Sequence, residues 1–194
     1  MKKTLFACTL AALSVCAFSG SSWADSPPET QAQSTLVLHS TSLSMNATID
    51  NKYVYKGFGC EGENLSPQLS WEGVPAEAKS LAITYYDPDA PTGSGWWHWT
   101  VVNIPTSVSE IPEGASGTDA MPAGSVEGRT DFGESKFGGS CPPVGDKPHR
   151  YFLTLHALDV EKLDLDANAS GALVGFNLNA HSIAQAQIMA VYGR

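Results

Sequence analysis

Five stretches of this sequence, 36–42, 52–56, 80–86, 96–104 and 150–158, follow a mostly period-two pattern and read as strands. Alternation of that kind sends successive side chains to opposite faces of a pleated strand and denies a helix its apolar stripe. Gln68-Leu-Ser-Trp71 reads as extended as well. The 18 glycines and 12 prolines concentrate at 87–95, 105–124 and 138–148, where the backbone turns and cannot build helix. The residues therefore predict a mainly β domain with long Gly/Pro loops. One helix is expected over 168–179, where Leu173, Val174, Phe176 and Leu178 form an apolar face and Asn168 or Ser170 can cap it, although Gly171 and Gly175 weaken it. Residues 183–192 alternate again and read as a last strand, with a helix as the close competitor.

The N-terminus is built differently. Met1-Lys2-Lys3 is positive, residues 4–18 are apolar, and Ser22-Trp23-Ala24 offers the small residues that a signal peptidase reads, with cleavage expected after Ala24. The apolar run is too short to span a bilayer as a stable helix, so residues 1–24 are read as an export signal and the remainder as a soluble protein of the periplasm or beyond. Neither Cys8 nor Cys16 has the context that lipid attachment requires. Residues 25–34 are Pro, Glu, Gln and Ser with almost nothing to bury, and read as a flexible leader to a single domain over 35–194. Loss of Lys2 and Lys3 leaves 9 basic against 20 acidic side chains, a net charge of −11, which argues against nucleic acid as a partner. Only Cys60 and Cys141 remain after cleavage. In an oxidising compartment two cysteines most simply pair, the alternative being two buried thiols.

Three segments carry the candidate chemistry. Asp87-Pro88-Asp89-Ala90-Pro91 follows a strand. If Ile83 and Tyr85 point inward so does Asp87, whose carboxylate then needs a partner; the plainer reading is a turn closed by aspartate. Trp96-Trp97-His98-Trp99 sets a histidine among tryptophans, on the strand face shared with Trp96, Thr100 and Val102. Gly138-Gly-Ser-Cys141-Pro142-Pro143 leads to His149-Arg150-Tyr151, in which His149 and Tyr151 share one face and Arg150 takes the other. Two imidazoles and a phenol can converge on a small oxyanion, with Asp87 orienting an imidazole.

Other chemistries fit less well. Asp87, His98 and His149 are zinc-ligand types, but they lack compact ligand spacing. Gly57-Phe-Gly59-Cys-Glu-Gly62 matches a dinucleotide loop in spacing alone, because Ser66-Pro67 follows where a helix should open. No Gly-x-Ser-x-Gly elbow is present around Gly139-Ser140. No cofactor, metal or catalytic residue is assigned. A phosphoester or ester hydrolase using His98 and His149 as acid and base is the alternative to a binding protein.

The motifs DPDAPTGSGWWHWTVVNIP (87–105) and GGSCPPVGDKPHRY (138–151), flanked by ENLSPQLSW (63–71) and SGALVGFN (170–177), resemble the phosphatidylethanolamine-binding protein family, also called Raf kinase inhibitor-like proteins, in its bacterial YbhB/YbcL branch. The resemblance implies a large central antiparallel sheet, a second smaller sheet and a pocket for phosphate-like anions or phosphorylated head groups. By position, Asp87, His98, Pro142, His149 and Tyr151 match the pocket motif, with Trp96 in its wall. It also implies a cis bond at Ala90–Pro91 and a structural ion pair for Arg150. Inhibition of a protease or kinase, independent of the pocket, is a further role it allows, for a partner met outside the cytoplasm. Animal members shape the pocket mouth with a C-terminal helix, whereas this sequence reaches Arg194 soon after its final strand.

Overall fold

A computed structural model describes residues 35–194; the export signal and leader expected over 1–34 lie outside the described residues. Two sheets and one helix form three layers. The central sheet has the order β10-β9-β5-β6-β8, all antiparallel, from β5 (Ser80–Asp87), β6 (Trp96–Ile104), β8 (Val126–Glu127), β9 (His149–Leu158) and β10 (Ser182–Tyr192). A smaller sheet joins β1 (Val37–His39), β4 (Leu69–Glu72) and β7 (Glu110–Ile111). A two-stranded hairpin, β2 (Lys56–Gly57) with β3 (Cys60–Glu61), stands apart. This is the mainly β architecture that the alternation predicts.

The main core lies between the two sheets: Leu38, Leu69, Trp71 and Ile111 from the smaller sheet meet Ile83, Tyr85, Trp99, Leu153 and Leu155 from the larger. A second, smaller core of Ala82, Val102, Leu158, Val174 and Leu178 lies under the helix α1 (Gly171–His181). Ser170 caps α1 by accepting from the Leu173 amide at 3.3 Å. The two glycines that weaken the helix in sequence have a packing reason. A side chain at Gly171 would fall on the Trp97 ring and one at Gly175 would crowd it, so their absence lets α1 lie close to the sheet.

Three sequence expectations change. The strand expected over 52–56 is replaced by a 3-10 turn, Asn51–Tyr53, because the Asp50 carboxylate and carbonyl accept from the Lys52 and Tyr53 amides; only Lys56–Gly57 is strand. The strand expected over 36–42 shortens to three residues, and the Ser40 hydroxyl turns the chain by accepting from the Ser42 and Leu43 amides.

The third change concerns the faces of β6. Tyr85 pairs with Trp99 and Tyr86 with Trp97, which leaves His98 as an extra residue. Further along, Ile83 pairs with Val101 and Leu81 with Ile104, which adds a second, where Asn103 takes a φ of 61°. Each is a β-bulge that puts two residues opposite one. His98 therefore shares a face with Trp96 and Trp99, while Thr100 and Val102 turn to the helix side, so the expected common face of His98, Thr100 and Val102 does not hold.

Candidate functional site

Asp87 ends β5, Trp96 and His98 begin β6, and His149 begins β9. Antiparallel neighbours place all four at one end of the central sheet, where they line a cavity of about 190 Å³. That volume is below the few hundred Å³ of drug-sized sites and suits a small ion or head group. Phe58, Phe132, Pro142 and Pro143 surround it, with Ala90, Pro91 and Thr92 on one side.

The Asp87 carboxylate is buried and fully engaged. One oxygen accepts from the Asp89 and Ala90 amides at 2.8 and 3.1 Å, and the other accepts from His149 Nδ1 at 2.8 Å. The aspartate is thus both the turn-former and the imidazole-orienting group that the sequence offered as alternatives. The far nitrogen of His149, Nε2, faces the Asp146 carboxylate at 3.4 Å. All described peptide bonds are trans, which corrects the cis bond expected at Ala90–Pro91: the Asp87 side chain closes this turn by holding two successive amides. Arg150 points away from the cavity and grips Asp89 through Nε at 2.9 Å and a terminal nitrogen at 2.7 Å, which holds the Asp89 carboxyl down to about 2 and fastens the loop to β9.

His98 is held by backbone. Its Nδ1 donates to the Gly138 and Gly139 carbonyls at 2.9 and 3.1 Å, and its ring packs edge-on against Phe132, Tyr85 and Tyr151. The loop can come this close only because 138 and 139 are glycines: a side chain at 138 would overlap Phe132 and one at 139 the backbone of Tyr53 and Tyr55. Asn64 fixes the loop further by accepting from the Gly139 amide at 2.7 Å. Burial pushes the His98 imidazole down to about 4, against a smaller upward pull from those carbonyls and Asp87. Three buried polar atoms here have no protein partner: Trp96 Nε1, His98 Nε2 and the Tyr151 hydroxyl. Tyr151 is fully buried, and burial raises its phenol above the ordinary 10. It lies behind His98, with ring centroids 5.2 Å apart, and is not itself among the residues lining the cavity.

Cys60 and Cys141 are disulfide-bonded, with Cα atoms 6.0 Å apart. The bond ties the β2–β3 hairpin, which carries Phe58 at its tip, to the loop of Pro142 and Pro143. Arg194 spans the same junction, donating to the carbonyls of Pro142, Gly59 and Phe58 at 2.6, 2.6 and 3.2 Å. Phe58, Phe132, Asn64 and Arg194 were not singled out by the sequence reading. Phe58 lies in the Gly57-Phe-Gly59 turn, whose spacing in sequence suggests only a phosphate loop; that turn joins two strands and opens no helix. Among the described residues no group of three or more His, Cys, Asp or Glu is placed to hold a metal ion, and no helix is long and apolar enough to cross a membrane.

The family model for phosphatidylethanolamine-binding protein matches residues 39–193. This chain belongs to that family. It is 55% identical over 155 residues to the UPF0098 protein YbcL of Escherichia coli strain K12, covering 79% of this chain and 85% of YbcL. It is 52% identical over 145 residues to the UPF0098 protein YbhB of the same strain, covering 74% and 91%. The crystal structure of E. coli YbcL, described as a new member of the mammalian PEBP family, superposes with a TM-score of 0.81 at 52% identity, covering 82% of this chain and 98% of that one. The phosphatidylethanolamine-binding protein fold thus accounts for the strand order as well as for the loops that bring Asp87, His98 and His149 together.

Two buried histidines should make the fold of this family member acid-sensitive. His156, hydrogen-bonded to Thr84 and Ser182 on the helix side of the sheet, is pushed by burial to about 4, as His98 is. The unfolded chain takes up protons on both from about pH 6.5 downward, while the folded chain does so only near 4. Stability should therefore be complete above pH 6.5 and fall as pH drops toward 4, by on the order of 3 kcal/mol per histidine. The low Asp89 carboxyl adds its own loss only below about 3.8. Urea unfolding at pH 7.0 and 4.5 measures the loss, and His156→Gln should remove about half of it.

Proposed function

We propose that this protein is a non-enzymatic binding protein, exported to the cell envelope, whose cavity takes a phosphate-like anion or a small phosphorylated head group. The observation that carries the reading is the pair of buried polar atoms left without partners at the cavity, Trp96 Nε1 and His98 Nε2, with the Tyr151 hydroxyl one layer behind them. Buried polar groups are nearly always hydrogen-bonded, and a cluster of orphans beside a small opening is where a polar ligand belongs. The cavity holds no activated nucleophile. The Cys141 sulfur is committed to the disulfide, the Thr92 hydroxyl donates to the Gly95 carbonyl, and Ser140 is buried against the Tyr85 hydroxyl. This favours binding over hydrolysis. Any protein partner that the bound state attracts would be met outside the cytoplasm.

Titrating inorganic phosphate by calorimetry at pH 7 and 6 tests the proposal. Saturable binding is expected, weakened about tenfold or more by Trp96→Phe, which removes one donor and little volume. Absence of binding at millimolar phosphate, or turnover on a panel of phosphoesters, would overturn it.

A further inference from the structure

The donors and acceptors around the cavity are not balanced as a site for a bare anion would have them, and this carries a conclusion about which anions can enter. It rests on the anion-binding reading above. His98 Nδ1 lies 2.9 and 3.1 Å from two carbonyl oxygens. Carbonyls only accept, so Nδ1 carries the ring proton of the neutral imidazole and Nε2, which has no protein partner, presents a lone pair. The Asp87 carboxylate also lines the cavity, its oxygens already taken up by the Asp89 and Ala90 amides and His149, and among the described residues no lysine or arginine lines it. Against the Nε2 lone pair, Trp96 Nε1 can only donate.

A tetrahedral anion with every oxygen bare would satisfy the indole N–H but would press a lone pair against His98 Nε2. One that keeps a proton satisfies both. Its P–OH donates to Nε2 while a bare oxygen accepts from Trp96. We infer that the cavity selects oxyanions that carry an ionisable proton, such as inorganic phosphate or a phosphate monoester, over sulfate, with His98 as the specificity-determining residue.

The groups facing His98 support this. Tyr85 and Tyr151 pack on its ring from β5 and β9. Asp87 at the end of β5 and Asp131 in the loop after β8 act on it only at longer range. His149, across the cavity, is already engaged by carboxylates. Desolvation by this packing outweighs the two carboxylates and keeps the ring neutral at pH 7. Sulfate must wait for the imidazole to take a proton from solvent, so its binding should strengthen only as pH falls toward 4. Phosphate brings its own proton, and its binding should strengthen as pH falls through the second ionisation of the anion, near 6 to 7.

Calorimetric titration of the folded protein with sodium phosphate and sodium sulfate, at matched ionic strength and at pH 7 and 5.5, tests the inference. Phosphate is expected to bind at least tenfold more tightly than sulfate at pH 7, with the sulfate affinity rising by close to tenfold per pH unit lost. The imidazole nitrogen shifts of His98 in the phosphate complex should report a protonated Nδ1 and a bare, hydrogen-bonded Nε2. Equal affinity for the two anions at pH 7 would overturn the inference while leaving the anion site standing. Binding of neither would overturn the anion reading and this inference with it.

Discussion

Asp87→Ala should lower the unfolding free energy by about 3 kcal/mol and abolish phosphate binding. The carboxylate is almost wholly shielded from water and serves three donors, the Asp89 and Ala90 amides and His149 Nδ1. Removing it strands the buried imidazole N–H, at a cost of order 1–3 kcal/mol, and releases the turn that carries Ala90, Pro91 and Thr92 along one side of the cavity. Asp87→Asn separates the two roles. Its amide oxygen can still accept from both backbone amides, but the amide nitrogen that replaces the other oxygen cannot accept from His149. The turn should survive, with a stability loss nearer 1 kcal/mol, while phosphate affinity falls because His149 is no longer oriented. Urea unfolding and phosphate calorimetry on both variants measure the split. Full phosphate affinity in Asp87→Asn would show that imidazole orientation plays no part.

The paired replacement Cys60→Ala with Cys141→Ala should cost about 4 kcal/mol. The bond joins residues 81 apart in sequence, and in the chain-entropy account a loop of that length confers stabilisation of this size by restricting the unfolded chain. For a domain of this length each kcal/mol moves the melting midpoint by roughly 2–4 °C, so a drop on the order of 10 °C is expected by calorimetric melting. Phosphate affinity should change only a few-fold, because Arg194 holds the same two loops together through three carbonyls. The same loss should appear, with no mutation, when the protein is made without residues 1–24 in a reducing cytoplasm, where thiols stay free. An unchanged midpoint in the double variant would remove the disulfide from the account of stability.

What the sequence made legible is what local chemistry determines. The mostly period-two pattern, bounded by Gly/Pro loops, located the long strands to within a residue or two, and 96–104 without error, although β5, β6 and β9 are buried on both faces. His149 and Tyr151 on one face with Arg150 on the other followed from the same rule. The failures share a different cause. The turn at Asn51–Tyr53 came from a side-chain cap that competes locally with strand pairing. The faces of His98, Thr100 and Val102 were misread because a bulge is a property of a strand pair, invisible in either strand alone. Phe58 and Phe132 come from loops with no periodicity, and only the closed chain brings them to the cavity. Tyr151 follows the motif yet stands one layer behind the wall, where its hydroxyl has no protein partner.

The two bulges of β6 work like paired frameshifts in a reading frame. The first inverts the in-and-out assignment of every residue that follows His98, and the second, at the left-handed Asn103, restores it before Ile104. Only the segment between them is written in the other phase. A lineage that lost or gained a single residue there would keep either the cavity end of the strand or the core end in order, never both. Length variation within this strand is therefore heritable only in compensated pairs.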